Sequence, residues 1–255
     1  MAASPVLLAV DVGNTSVSFG LFDGAALRRC RRVPAQTGTD WARGAGTGRG
    51  TRLDAILIAS VNPPIARSVA AALKKRFGLS PAYVGDDAPV PMRVRCRRPE
   101  QVGVDRLLNA LGARALVRGP AVVADFGTAV TVDAVSSRGD FLGGTILPGV
   151  ALSSRALQQG TAKLPHVFPI HAGPVIGKDT SEAIRSGIFW GTCGAVREIA
   201  LRMRKRLRDQ TARLVVTGGD ASLFLKHLPT PRLMSPHLTL GGIAAVFERW
   251  HGRGK

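Results

Sequence analysis

A chain of 255 residues carries 35 Lys and Arg against 17 Asp and Glu, a formal net charge of +18, with 45% hydrophobic residues. That apolar share can build real cores at a length that suits two modest domains, and no stretch is long or apolar enough to span a bilayer. Positive charge favours polyanions, but aromatic residues make up only 5% and just seven basic residues are lysine, so arginine-rich composition is the simpler account and no specific nucleic-acid partner is expected.

The cysteines (Cys30, Cys96 and Cys193) are scattered and lack metal-ligand spacing. No basic n-region precedes the first strand, so no signal peptide is expected. Together these point to a reducing cytoplasm.

In chain order, residues 1–34 predict a strand, a loop at Asp11–Thr15, a second strand and a turn at Asp23-Gly24. Residues 35–52, rich in Gly, Thr and Arg, predict a loop or a weakly ordered link. A buried strand is expected over Leu53–Ser60. An amphipathic helix follows over Ile65–Phe77, with Ile65, Val69, Ala72 and Leu73 on its apolar face. Ala82-Tyr83-Val84 is a short strand, and a proline-punctuated stretch through Pro99 leads to a helix from about Val104 to Val117.

The second half opens with a strand at Ala121–Ala124, passes through the glycine-rich stretch Gly143–Gly149, and continues into a helix. A second helix near Ser181–Arg208, a strand at Arg213–Val216 and a closing helix from Gly241 complete it. The basic run Arg202–Arg208 continues the apolar pattern of Val196, Ile199, Ala200, Met203 and Leu207, and reads as the solvated face of that helix. Strands alternating with helices in both halves predict two α/β domains with mixed sheets, divided as 1–118 and 119–255.

Two segments share one grammar. Leu7–Val10 runs into Asp11-Val12-Gly13-Asn14-Thr15, and Ala121–Ala124 runs into Asp125-Phe126-Gly127-Thr128. Each is followed by a second strand-like stretch. A strand delivers a carboxylate to its end, where it can hold a cation directly or through water. The glycine that follows lacks a Cβ, so backbone amides can approach a phosphate. A lone Asp-x-Gly is an ordinary turn former. Two copies, each closing one apolar strand and opening another, predict paired loops gripping a nucleotide triphosphate across a cleft, as in actin-like kinases. A P-loop kinase is excluded, because no Gly-x4-Gly-Lys-[Ser/Thr] occurs.

Pro99-Glu100-Gln101-Val102-Gly103-Val104-Asp105-Arg106 sets a carboxylate and a guanidinium side by side at the start of a helix. This is also a common capping arrangement. In a functional reading Asp105 accepts the proton of an attacking hydroxyl and Arg106 meets an anionic group of the substrate. A carboxylate suffices for phosphoryl transfer, whose loose transition state asks mainly for positioning and charge stabilisation.

Taken together these segments resemble the type III pantothenate kinases, nearly end to end. The matching elements are Asp11–Thr15 with Phe19–Phe22 behind it, Ser60-Val61-Asn62-Pro63, Pro99–Arg106 in full, and Asp125–Thr131 with Gly143–Gly149. Gly177-Lys178-Asp179-Thr180, Ser186-Gly187 and Thr217-Gly218-Gly219-Asp220 follow in the family's order.

The resemblance implies an α/β fold of two actin-like (ribonuclease H-like) domains flanking an ATP cleft. The implied activity is ATP-dependent phosphorylation of pantothenate, the first step of coenzyme A synthesis. Asp105 is implied as the base. Asp11, Val12, Gly13, Asn14, Thr15, Ser16, Val17, Ser18 and Thr128 are implied to bind ATP. Gly103, Val104, Asp105 and Arg106 would line the pantothenate site, with Thr180 contributing from a partner subunit of a homodimer. Asp125 would hold potassium or ammonium, magnesium would accompany ATP, and Thr217-Gly218-Gly219 would close near the adenosine.

The chain departs from the pattern in two places. Cys96 stands where the family usually has a pantothenate-contacting tyrosine, which implies an altered pocket wall. Residues 35–52 are shorter than their counterpart. A different actin-like small-molecule kinase would keep both ATP loops without needing Gly103–Arg106. A regulatory role like that of the Bvg accessory factor, a member of the same family, would not need Asp11, Asp105, Asp125 and Thr128 together.

Overall fold

The computed structural model describes residues 4–35, 40–47 and 51–251. The chain forms two compact units that interleave along the sequence. Unit 1 is Met1–Arg93, Arg97–Leu116 and His237–Lys255; unit 2 is Val94–Cys96 and Val117–Pro236. A single division at 118/119 therefore follows the crossing near Leu116 but not the return of the C-terminal helix, nor the three-residue excursion at Val94–Cys96.

Unit 1 holds β1 (Val6–Val12), β2 (Ser16–Asp23), β3 (Ala26–Pro34), α1 (Trp41–Gly44), β4 (Ala55–Ser60), α2 (Pro63–Phe77), β5 (Ala82–Tyr83) and α3 (Val104–Leu116). Its sheet runs β3-β2-β1-β4-β5, with β1 antiparallel to β2 and parallel to β4. Both faces of the sheet are covered, which is why β1 reads as a continuous apolar run. Leu8, Val10 and Val12 face one cluster with α2 residues Val69 and Leu73. Leu7 and Ala9 face the other, with Leu108 and Leu111 of α3. The stretch expected to be a loop at 35–52 contains α1, whose Trp41 is buried against the first cluster. Its residues 36–39 and 48–50 lie outside the described residues.

α2 shows how local chemistry sets an element. The Asn62 side chain accepts the Ile65 N–H, Pro63 and Pro64 occupy the first turn, and Gly78 closes the helix at φ 68°. Ser60-Val61-Asn62-Pro63 is thus a strand end joined to a helix cap.

Unit 2 holds β6 (Ala121–Phe126), β7 (Ala129–Val135), β8 (Phe141–Pro148), α4 (Val150–Gly160), α5 (Thr180–Leu207), β9 (Arg213–Thr217), α6 (Ala221–Phe224) and β10 (Arg232–Met234). Its sheet runs β10-β9-β6-β7-β8. This is the same plan as unit 1: three antiparallel strands in sequence, then two added parallel to the first. Val122, Ala124 and Phe126 pack with Ile188, Phe189 and Val196 of α5. The Gly143–Gly149 stretch supplies most of β8. The final helix α7 (Leu238–His251) belongs to unit 1, where it packs on α3 so closely that a Cβ on Gly242 would strike the Leu108 carbonyl.

The basic run at the end of α5 corrects one expectation. Arg204 is not on a solvated face: it is 2% exposed and the largest fully buried side chain of the described residues. It lies one turn beyond the buried Ala200. Its Nε donates to the Ala212 carbonyl at 2.8 Å, and its terminal nitrogens donate to Thr230 at 2.8 Å and Pro231 at 2.9 Å. Burial lowers its pKa from the ordinary arginine value, and Asp209 opposes that shift. The guanidinium fastens the end of α5 to the approaches of β9 and β10. Arg204→Ala should therefore leave three carbonyls without donors and lower the stability of the chain by about 2–4 kcal/mol, read as an earlier urea midpoint at unchanged slope.

Candidate functional site

In unit 1 the first loop is a tight turn between two buried strands. Gly13 N–H donates to the Ser16 carbonyl at 3.0 Å, and Ala35 N–H to the Thr15 carbonyl at 3.0 Å. Asn14 and Thr15 are exposed at the tip. Val12 and Val17 are fully buried in the core, so they hold the turn in place and can offer a ligand only backbone. Asp11 shares the face of β1 that carries Leu7 and Ala9. Its register partner on β2 is Ser18, and the partner of Ser18 on β3 is Arg32. Asp11, Ser18 and Arg32 thus form one row across three strands at the loop end of the sheet.

Arg32 also reaches the loop itself: its Nε donates to Ser16 Oγ at 2.8 Å. Sequence reading had treated Arg28–Arg32 only as composition. The alternation of β3 separates its members. Arg29 and Arg31 reach the carbonyls of Gly46 and Arg43, while Arg32 turns to the loop.

The second element of unit 1 is the start of α3. Pro99–Gln101 forms a short 3-10 turn, and α3 begins at Val104, putting Asp105 in its first turn. Asp105 Oδ1 accepts the Arg106 N–H at 2.9 Å. A Cβ on Gly103 would lie 2.5 Å from that same oxygen, so glycine is what lets the carboxylate fold back over the turn. Val104 packs against the core, whereas Asp105 and Arg106 are half-buried and carry the polar chemistry.

In unit 2 the second loop repeats the arrangement with one residue fewer. Gly127 N–H donates to the Ala129 carbonyl at 3.1 Å, and Thr128 is exposed. Asp125 pairs in register with Thr131 of β7 and with Thr217 of β9. The carboxylate therefore sits at the end of its strand, as Asp11 does in unit 1. Two glycine turns close on the loop from outside. Gly218 (φ 101°) lies where a Cβ would strike the Phe126 carbonyl and come within 2.5 Å of Asp125 Oδ1. A Cβ on Gly149 would strike the carbonyls of Gly127 and Thr128, and its N–H donates to Thr128 at 3.0 Å. Asp220 N–H donates to the Phe126 carbonyl at 3.0 Å. Beneath the loop the Phe126 ring stacks on Phe224 at 4.8 Å, and Phe224 on Phe189 at 5.1 Å.

Thr180 is exposed as the first residue of α5. Asp179 caps this helix by accepting the Glu182 N–H at 2.8 Å, and the Glu182 side chain reaches back to accept the N–H of Lys178, just before the cap, at 2.9 Å. Gly177 packs directly on the Glu182–Ala183 backbone. Cys96 belongs to unit 2, and the Gly103–Arg106 block to unit 1. Its segment is pinned to the start of β8 by the Arg95 N–H to Phe141 carbonyl bond and the Arg95–Asp140 ion pair at 2.9 Å. Half-buried, its thiol lies over the bare Cα of Gly143.

Among the described residues no three His, Cys, Asp or Glu side chains converge as a metal cage. The donors around each loop are single carboxylates, hydroxyls and backbone groups. Hard oxygen donors of this kind suit potassium or ammonium, or a magnesium already carried by nucleotide phosphates.

Two mixed sheets of identical plan, each ending in an Asp-x-Gly turn, define an actin-like ATPase or kinase fold. Solved structures agree. A Baf family transcriptional activator from Campylobacter jejuni matches with TM-score 0.63 at 18% identity, covering 96% of this chain and 99% of that one. Component A of (R)-2-hydroxyglutaryl-CoA dehydratase from Acidaminococcus fermentans matches with TM-score 0.51 at 15% identity, covering 99% and 100%.

The sequence narrows the class further. Residues 7–202 match the family model for type III pantothenate kinase. Type III pantothenate kinases of Thermobifida fusca and Dehalococcoides mccartyi strain CBDB1 are 39% and 35% identical, the first over 96% of this chain and 99% of its own length, the second over 97% of each. The chain belongs to the type III pantothenate kinase family.

The glycine cradle around Asp125 is directly testable. Gly218→Ala adds a Cβ both at positive φ and against the loop carbonyl. It should lower stability by about 1–3 kcal/mol and, by displacing the loop, lower kcat/KM for ATP roughly tenfold or more. Unchanged unfolding and unchanged kinetics would show that the turn tolerates bulk there.

Proposed function

We infer that this chain transfers the γ-phosphoryl group of ATP to pantothenate, forming 4′-phosphopantothenate in the first step of coenzyme A synthesis. The observation that carries this reading is Asp105, set in the first turn of α3 within a complete Pro-Glu-x-Val-Gly-x-Asp-Arg block, in a chain whose family is established. Asp105 takes the proton of the attacking hydroxyl and aims its oxygen at phosphorus. Arg106 meets the substrate carboxylate, with Gly103, Val104 and Cys96 as further parts of the substrate site. The small thiol at Cys96 leaves that wall looser than a phenol would.

The turn Asp11–Ser18 and Thr128 hold the ATP phosphates through backbone amides and hydroxyls, and Arg32 adds positive charge beside Ser16. Asp125 holds a monovalent cation, potassium or ammonium, and Asp11 faces the nucleotide's magnesium. These ions, when bound, neutralise the charge that develops on the transferring group. Thr217-Gly218-Gly219 lies near the adenosine. The reading places the protein in the cytoplasm as a homodimer, with Thr180 reaching its partner's substrate. Of the ten large apolar side chains exposed among the described residues, six (Leu142, Ile146, Leu152, Phe168, Val175 and Ile176) fall between 142 and 176 in unit 2, which supports an interface there.

The deciding experiment is a coupled ATP-consumption assay. Turnover should require pantothenate, collapse in sodium-only buffer and recover with potassium or ammonium. Asp105→Asn should fold and bind ATP while losing about 10²–10⁴-fold in kcat. ATP consumption that ignores pantothenate, or an Asp105→Asn variant at full kcat, overturns the reading.

Arg32 separates charge from scaffold. Because it is exposed, its contribution is screened, and Arg32→Ala should raise KM for ATP only roughly three- to tenfold while leaving KM for pantothenate unchanged. Arg32→Lys should recover part of the loss.

A further inference from the structure

Unit 2 carries a second concentration of positive charge that the kinase reading does not use. A pocket of about 420 Å³ is lined by Arg197, Leu201 and Arg204 of α5, by His227, and by the 228–232 turn leading into Arg232. Arg197, Leu201 and Arg204 recur at helical spacing, so they share one face of α5. No Asp or Glu lines this pocket. Asp209, outside this lining, acts electrostatically on Arg204 and is itself engaged by Thr211.

The cations differ in how they are held. Arg204 is buried on three carbonyls, so its charge stays without a bonded counterion. Arg232 is half-buried and gives one nitrogen to the Leu228 carbonyl at 2.7 Å, leaving the rest of its fork. Arg197 is exposed, and among the described residues nothing pairs with it. His227 is wedged edge-on between Phe189 and Trp190, at 5.3 and 5.0 Å, and its Nε2 is buried without a hydrogen-bond partner.

The place is also separate from the phosphate loops. β6, β9 and β10 run parallel, with Asp125 at the C-terminal end of β6 and Gly218 just past that of β9. Ala212 and the 228–232 turn precede β9 and β10, so the pocket lies at the other end of the sheet. At about 3.3 Å per strand residue that separation is roughly 15 Å.

We propose that this pocket is a binding site for a small phosphate-type anion, gripped by Arg197 and Arg232 over a floor made positive by Arg204 and donor-lined by His227. Guanidinium forks match tetrahedral oxyanions in geometry as well as in charge. The concave shape and the lack of flanking aromatic platforms fit a compact di- or polyphosphate rather than a strand of nucleic acid.

Inorganic pyrophosphate is the probe, titrated into the full-length protein and followed by NMR. The His227 ring reports from the pocket wall and the Trp190 indole from behind it, while Trp41 and Trp250 lie in unit 1 and serve as references. Saturable shifts confined to Trp190 and His227 are expected. Arg197→Glu alone should raise the Kd about tenfold, and adding Arg232→Ala should raise it further. A control pair with the same charge change at exposed positions of unit 1, Arg67→Glu with Arg249→Ala, should leave the Kd unchanged. Absence of a saturable shift, or an equal loss in the control pair, overturns the site. Because Arg197 is exposed and unpaired, its variant keeps the fold. Kinase activity plays no part in the readout, so failure here is distinct from failure of the kinase reading.

Discussion

Both sheets are built around one requirement: a carboxylate must stand at the end of a buried strand, beside a turn of bare glycine backbone. A charged group so close to a core is tolerated only where water or polar partners remain within reach. The strand therefore has to stop there and turn sharply. In both units the apolar run ends one residue past the aspartate, with Val12 and Phe126 buried as anchors and a glycine next. Asp11 has Ser18 as a polar cross-strand neighbour on one side and Ala59 on the other, and Asp125 has Thr131 and Thr217 on its two sides. The cores flanking the sheets fix where those strands end, and so fix the loops.

The two units meet this requirement differently. Unit 1 steadies its loop from the edge strand, where Arg32 crosses to Ser16. Unit 2 uses close-packed backbone, with Gly149 and Gly218 admitting two other segments against the turn, and a stack of phenylalanine rings below. Such close packing leaves no room for a Cβ and makes the second loop the more rigid construction.

Much of this was legible in the sequence because the signals were local. The turn grammar at Asp11 and Asp125 needs only a strand period and two residue types. The caps at Asn62 and Asp179 announce α2 and α5 within a residue or two of where they begin. What was missed is non-local. β3 is an arginine-rich edge strand, recognisable only once β2 is there to pair with it. β8 carries glycines that weaken a strand signal, yet Gly144 is needed because Val132 and Asp133 of β7 approach so closely. The C-terminal helix returns to unit 1 through the packing of Gly242 on Leu108, a contact between residues far apart in the chain. The tie of the Val94–Cys96 segment to β8 is likewise a pairing between residues far apart in the chain.

Arginine shows most clearly why composition is not structure. A net charge of +18 reads as one bulk property, and bias in usage explains its size. It does not explain the assignments. Arg204 is a buried cross-link whose charge is satisfied by carbonyl dipoles, a task the planar guanidinium performs and a lysine ammonium would perform poorly. Arg32 is exposed and bonded to a loop hydroxyl, Arg29 and Arg31 tie the edge strand to the α1 segment, and Arg95 pins Val94–Cys96 to β8. Arg197 and Arg232 have donors left over and share a concavity with no carboxylate on its walls. One residue type thus serves as core fastener, loop brace and strand tie, and lines the proposed anion pocket. The same abundance of arginine supplies all four, and only the register of each strand and the turn of each helix decides which is which.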